Sequence, residues 1–208
     1  MELHIFDEMV PKQILKKSKK AITKINQDHC FAETGLISIN SDLLNTATNN
    51  TLYIRCSKFG AGSYQHADQG NFAILSQGQA LISPSGFFGH HYGDTHHIDW
   101  TQSTKAHNLF LLEQNGQKYK SAQAIGQIKQ FISQKGYSHA FLDISSTYPM
   151  AKLATRSFTF IKPGLILLVD AIHLNETGNI QWLLHTLKKP NVSRYGLSMK
   201  RNHLHING

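Results

Sequence analysis

Six of the 13 histidines lie between positions 66 and 107: His66, His90, His91, His96, His97 and His107. Imidazole titrates close to neutral pH, so such a cluster can move protons or ligate a metal. The first candidate pair is His66 and Asp68 in the segment QHAD. On a strand, positions two apart face the same side, where a histidine and a carboxylate can orient each other or share a metal. His107, followed by Asn108, offers a second imidazole. Zinc takes imidazole and carboxylate ligands from separated strands, so a third ligand would be needed. The stretch from Phe87 to Trp100 offers a second chemistry. There His91, Tyr92, His97 and Trp100 sit in a polar loop, a combination suited to stacking on sugar rings, to proton transfer, or to both. The plainer alternatives are a surface histidine beside an aspartate, and a packed loop with exposed imidazoles.

These residues need a scaffold, and the surrounding sequence predicts a β one. From Phe31 onward, short alternating apolar runs (GLISIN, TLYIRCSKF, GNFAILSQ, QALISP) are separated by NNT, GAGS, SQGQ and SPSG. After the histidine-rich loop come NLFLLEQNGQK, SHAFLDI, RSFTFIKPGLILLVDAIHL, NIQWLLHTL and RYGLSMKRNHLHING. SQGQ, QNGQ and KPG read as hairpin turns. About ten short strands predict a mainly β fold, a two-layer antiparallel β-sandwich. Residues 121–134 read as a strand or a short helix. The closing Asn-Gly would start a hairpin with no return strand, which reads as a domain cut short at the C-terminus. Pro11 to Gln27 carries Ile14, Leu15, Ala21, Ile22 and Ile25 near helical spacing and predicts one short amphipathic α-helix. The expected division is a helical segment over 1–29 and a β-sandwich domain over 30–208.

The length of 208 residues suits one domain, and the formal net charge of +8 favours an anionic partner. Lys12, Lys16, Lys17, Lys19, Lys20 and Lys24 concentrate that charge near the N-terminus, which also reads simply as a solvated helix face. Because these lysines are remote from the aromatic loop, no nucleic-acid partner is expected. No GxSxG nucleophile elbow is present. Cys30 and Cys56 are too few for a disulfide framework or a zinc finger. No apolar run is long enough for a transmembrane segment. The N-terminus lacks the pattern of a signal peptide, so the chain reads as cytoplasmic if Met1 is a true start.

From Phe31 to the end the sequence resembles the C-terminal β domain of the heparinase II/III-like polysaccharide lyases, a group that includes oligoalginate lyases. FAETGLISINSD resembles the opening strand, and GSYQHADQGNFAILSQGQALISPSGFF the HxD segment with its glycine turn. HHYGDTHHIDWTQSTKAHNLFLLEQNGQ resembles the aromatic loop and the HN strand. TYPMAKLATRSFTFIKPGLILLVDAI and IQWLLHT resemble later strands.

The resemblance implies a lyase that cleaves a uronate-containing acidic polysaccharide, such as alginate or a heparan-like glycan, by β-elimination. It implies His66, Tyr92 and Tyr64 as catalytic residues, with His97, Trp100 and His91 against the substrate. Many members read His-x-His-x-Asp, and Tyr64 stands here at the first histidine. The resemblance also implies a structural zinc held by His66, His107 and an aspartate, but Ser83 stands at the aspartate position. Asp68 or water would have to take that place. Members carry an α/α toroid before the β domain, so the N-terminal helix reads as a remnant of it. A toroid-bearing chain or a second copy would complete the cleft. Members work in the periplasm or cell envelope. The alternative function is a non-catalytic module that binds acidic glycan or serves as structure.

Overall fold

A computed structural model describes residues 26–62, 65–86, 91–194, 196–199 and 204–207. The expected N-terminal helix therefore lies outside the described residues, except for Asn26 and Gln27, which are not helical. Two antiparallel sheets build the body. The first runs in the order β1 (His29–Phe31), β2 (Leu36–Asn40), β3 (Asn50–Arg55), β4 (Phe72–Ser76) and β5 (Gln79–Ile82). The second places β7 (Gln127–Ser133), β8 (Tyr137–Asp143), β9 (Ala151–Ile161) and β10 (Leu165–Leu174) side by side. β6 (Phe110–Leu112) pairs with β11 (Ile180–Trp182). β12 (Asn191–Ser193), β13 (Gly196–Met199) and β14 (Leu204–Asn207) form a three-stranded meander.

The period of two decides which face each strand buries. Ile37 and Ile39, Leu52 and Ile54, and Phe72 and Ile74 point inward from the first sheet. Ala140 and Leu142, and Ala154, Phe158 and Phe160, meet them from the second. The result is the expected two-layer sandwich.

Local chemistry explains the turns. Gln77 and Gly78 both have positive φ (52° and 74°), the geometry of the tight β4–β5 hairpin. The turn expected at QNGQ lies two residues earlier. Glu113 and Gln114 take φ of 48° and 64°, and Leu112 and Asn115 exchange backbone hydrogen bonds across them. Beyond that turn the chain leaves the ladder, because β6 finds its partner in β11. Residues 127–133 resolve the helix-or-strand alternative in favour of strand, since their backbone pairs with β8. β14 pairs antiparallel with β13, with Asn207 opposite Gly196.

Candidate functional site

QHAD is not a strand. It lies in the irregular connection between β3 and β4, which corrects the expectation that alternation aligns His66 with Asp68. The connection is held instead by side chains reaching in from residues 102–117. Gln117 Nε2–H donates to the Gln69 carbonyl (2.7 Å), and Gln117 Oε1 accepts from the Gln69 N–H (2.9 Å). Thr104 Oγ1–H donates to the Ala67 carbonyl (2.9 Å), and the Ala67 N–H donates to the Gln102 carbonyl (2.9 Å). Every partner here is buried, so each bond is shielded from competing water.

The two segments bring His66 and His107 together, with Nδ1 of the first 3.2 Å from Nε2 of the second. His107 Nδ1 lies 2.8 Å from the Ser103 carbonyl, which can only accept. The Nδ1 of His107 therefore carries the proton, and Nε2 presents its lone pair toward His66. Asp68 completes a group of three, with one ligand atom from each residue all within 4.8 Å of one another. Burial lowers the pKa of His107 below the ordinary imidazole value, against the opposing pull of the Asp68 carboxylate and the Ser103 carbonyl. Burial likewise lowers that of His66, with Asp68 again opposing and the charges of His97 and Arg55 adding to the shift. Both rings are thus held toward the neutral form, the one that ligates a metal. Asp68 is also ion-paired with Arg55, 3.0 Å from Nε. The Ser83 N–H donates to the His185 carbonyl at 3.2 Å.

The aromatic loop divides. His97 is buried in a short π-helical turn (His97–Thr101), accepts a hydrogen bond at Nδ1 from the Gly93 N–H (3.1 Å), and packs its ring 4.7 Å from that of Tyr92. Tyr92 itself is 61 % exposed. Trp100 donates from Nε1 to Ser85 Oγ (2.7 Å), and its ring lies 6.4 Å from that of His185. His91 is exposed and uses its backbone N–H on Asp94. Tyr64 and His90 lie outside the described residues.

Two supporting residues escaped the sequence reading. Arg156 of β9 is completely buried. Its guanidinium makes a two-pronged pair with Asp170 (2.7 and 2.9 Å) and donates from Nη1 to the Gly70 and Asn108 carbonyls (2.9 and 2.7 Å). The rings of Phe72 and Phe110 flank it, at 5.8 and 5.5 Å. One side chain thereby ties down the residues just after Asp68 and just after His107. A signal was present: Arg156 falls in the inward row of Ala154, Phe158 and Phe160, where an unpaired charge could not stay. His185 donates its backbone N–H to Asn108 Oδ1 (2.7 Å), and its buried Nδ1 has no hydrogen-bond partner among the described residues. Nothing in LLHT marked it beforehand.

A family model described as Heparinase II/III-like, C-terminal, matches residues 26–206. The chain belongs to this family. A search of curated proteins returns no match. Among solved structures, a heparinase III with methylated lysines superposes with a TM-score of 0.68 at 15% identity, over 88% of this chain and 30% of that one. A heparan sulfate lyase from Pedobacter heparinus gives 0.65 at 16% identity, over 86% and 30%. A further heparinase III gives 0.60 at 16% identity, over 74% and 24%. At such identities the likeness shows the fold. The heparinase II/III-like chain described here spans under a third of the length of these neighbours. Among the described residues no helix is long and apolar enough to cross a membrane.

Proposed function

We infer that this chain is the β-domain part of a polysaccharide lyase acting by β-elimination on a uronate-containing acidic polymer, alginate or a heparan-like glycan. The observation that carries the reading is the convergence of His66 and His107 within a member of this family. In the reaction a base takes the proton from C5 of the uronate. The electron pair left behind forms the C4=C5 double bond as the C4–O4 bond breaks, and an acid delivers a proton to the departing O4. Tyr92, Tyr64 and His66 are assigned to the proton transfers. Since Nδ1 of His66 faces His107, only its Nε2 remains for that work. His91, His97 and Trp100 are assigned to holding the sugar, and the positive charge of the protein attracts the polyanion. Such a polymer is met in the periplasm or cell envelope.

His66, His107 and Asp68 fit a small divalent cation such as zinc: two imidazoles whose facing nitrogens lie 3.2 Å apart and one carboxylate. The ion would supply a fixed cross-link between the two loop segments, with Asp68 shared between it and Arg55.

A second reading is a module that binds acidic glycan without turnover. One experiment separates the two. The full chain is mixed with a toroid-bearing partner and uronan, and the ultraviolet absorbance of unsaturated ends is followed. The lyase reading expects a rising signal that Tyr92→Phe cuts by roughly 10²–10⁴-fold. Binding without absorbance under those conditions refutes it and supports the module.

A further inference from the structure

A pocket of about 170 Å³ lies beside the histidine pair. Ile98 and Tyr119, 48 % and 37 % exposed, form its walls. Ala67, Thr104 and Gln117 are buried and form its floor, and the exposed Lys105 stands at its rim. The volume equals that of roughly six liquid waters, room for one sugar ring rather than a run of them.

The floor is fixed and its polar atoms are already engaged. The Gln117 N–H donates to Thr104 Oγ1 (2.9 Å), while the two side chains bind Gln69 and Ala67. At Gly116 the backbone approaches so closely that a Cβ would lie 2.6 Å from Thr104 Oγ1. Recognition therefore falls to the walls and the rim. The walls offer an aromatic ring and an isoleucine, which suit the C–H face of a sugar.

The rim offers positive charge. No carboxylate is among the described residues that line the pocket. Besides Lys105, Lys120 places Nζ 5.0 Å from the centroid of the Tyr119 ring. Hydrogen bonding to the Tyr119 hydroxyl, with a further contribution from that of Tyr92, raises the Lys120 pKa against the opposing effect of desolvation. Lys120 is thus charged at neutral pH and within electrostatic reach of both phenols. Its φ is 47°, a conformation that glycine adopts freely and a lysine does not. A lysine kept in such a turn holds an ammonium beside Tyr119 at the expense of backbone strain, which is a mark of functional positions.

The pocket and the histidine pair share their supports. Ala67 follows His66, and the Ser103 carbonyl, from the turn that lines the pocket, orients His107 (2.8 Å from Nδ1).

We propose that this pocket is an additional sugar subsite, in which Tyr119 and Ile98 receive the face of one uronate residue and Lys105 and Lys120 bind its carboxylate. The residue seated there neighbours the one presented to Tyr92 and His66, so the subsite sets the placing of the polymer along the cleft. The inference rests on the reading of the ligand as a uronate polymer, but not on turnover.

The test is a titration of the full chain, labelled at its isoleucine methyl groups, followed by nuclear magnetic resonance. The probes are tetramannuronate, an unsulfated heparan tetrasaccharide, and mannotetraose, which has the rings of the first without its carboxylates. Ile98 reports on the pocket, and Ile161, exposed on the second sheet, is the control. The expected result is a saturable shift of Ile98 with at least one acidic probe, weaker binding of mannotetraose, and Ile161 unmoved. Lys105→Gln and Lys120→Gln should each weaken the acidic probe by about fivefold and leave mannotetraose unchanged. Binding that leaves Ile98 unmoved, or that neither lysine variant weakens, overturns the subsite while the uronate reading stands. If neither acidic probe binds the parent, the uronate reading falls and the subsite with it.

Discussion

Replacing Arg156 by methionine tests the physical basis of the site most directly. The guanidinium spends four hydrogen bonds in a fully buried position. In Arg156→Met the Asp170 carboxylate keeps the Trp182 indole N–H (3.1 Å) as its one side-chain donor among the described residues, and the Gly70 and Asn108 carbonyls each lose this donor. Removing one partner of a buried ion pair typically costs about 3–5 kcal/mol, because the remaining charge stays desolvated. In urea unfolding that corresponds to a midpoint lower by about 1–2 M, with the slope unchanged. Arg156→Lys should rescue little, since an ammonium cannot reach a bidentate carboxylate and two carbonyls at once. Replacing the pair together, with Arg156→Met and Asp170→Leu, should recover a large part of the loss, because no buried charge is then left over. A loss below about 1 kcal/mol in the single variant, or a double variant worse than the single, would refute this account of what holds the two histidine segments in place.

Asp28 should give an acid-sensitive contribution to stability. Burial raises its pKa, but the bonds from Lys162, Ser138, Asn40 and Ser133 together outweigh burial, and the net pKa lies below the ordinary carboxylate value of 3.8. A carboxylate whose folded pKa is depressed stabilises above its unfolded pKa and loses that contribution as pH falls through the folded one. Asp28→Asn should therefore be less stable than the parent at neutral pH and converge with it as pH falls below the ordinary carboxylate range, which urea titrations at several pH values will check. Zinc, titrated calorimetrically, should bind the parent and raise its melting temperature, and His107→Ala should abolish both effects; equal heats in parent and variant would remove the metal assignment. Gln114 sits at φ 64°, a region that costs a residue with a side chain about 1 kcal/mol, so Gln114→Gly should raise stability by about that amount. Gly126→Ala should lower it by about 1–3 kcal/mol, since the new Cβ would lie 2.7 Å from Cys56 Sγ and 2.8 Å from Gln69 Oε1.

These predictions also mark where the sequence was readable and where it was not. The sandwich could be read because alternation is a local property: LISIN, TLYIR and FAILS each reveal their buried face within five residues. The Glu113–Gln114 turn was misplaced by two positions because Asn-Gly is the stronger local signal for such a turn. The pairing of β6 with β11, some seventy residues later, decides where the chain must bend. His66 and His107 were legible as residue types, but their approach depends on bonds between segments distant in sequence, such as Gln69 with Gln117. Asp68 shows the same limit. The expected reason for its alignment with His66 was strand periodicity, whereas the connection between β3 and β4 is irregular. Arg55, from the end of β3, and the Gln117 clamp hold that connection instead.

The same contrast explains why Arg156 matters more than its single charge suggests. A loop that carries chemistry cannot rely on a ladder of backbone bonds, so its carbonyls must be satisfied from the nearest regular element. Here that element is β9, and the residue is the one arginine in its otherwise apolar inward row, neutralised by Asp170 of the neighbouring strand. The donors that Asp170 leaves free reach both histidine-bearing segments at once. The site is therefore coupled to the core through this side chain as well as through Arg55 of β3. A substitution at Arg156, which touches neither His66 nor His107, should weaken zinc binding together with stability. A substitution at Tyr92, which is 61 % exposed, should change catalysis while leaving stability within about 0.5 kcal/mol of the parent.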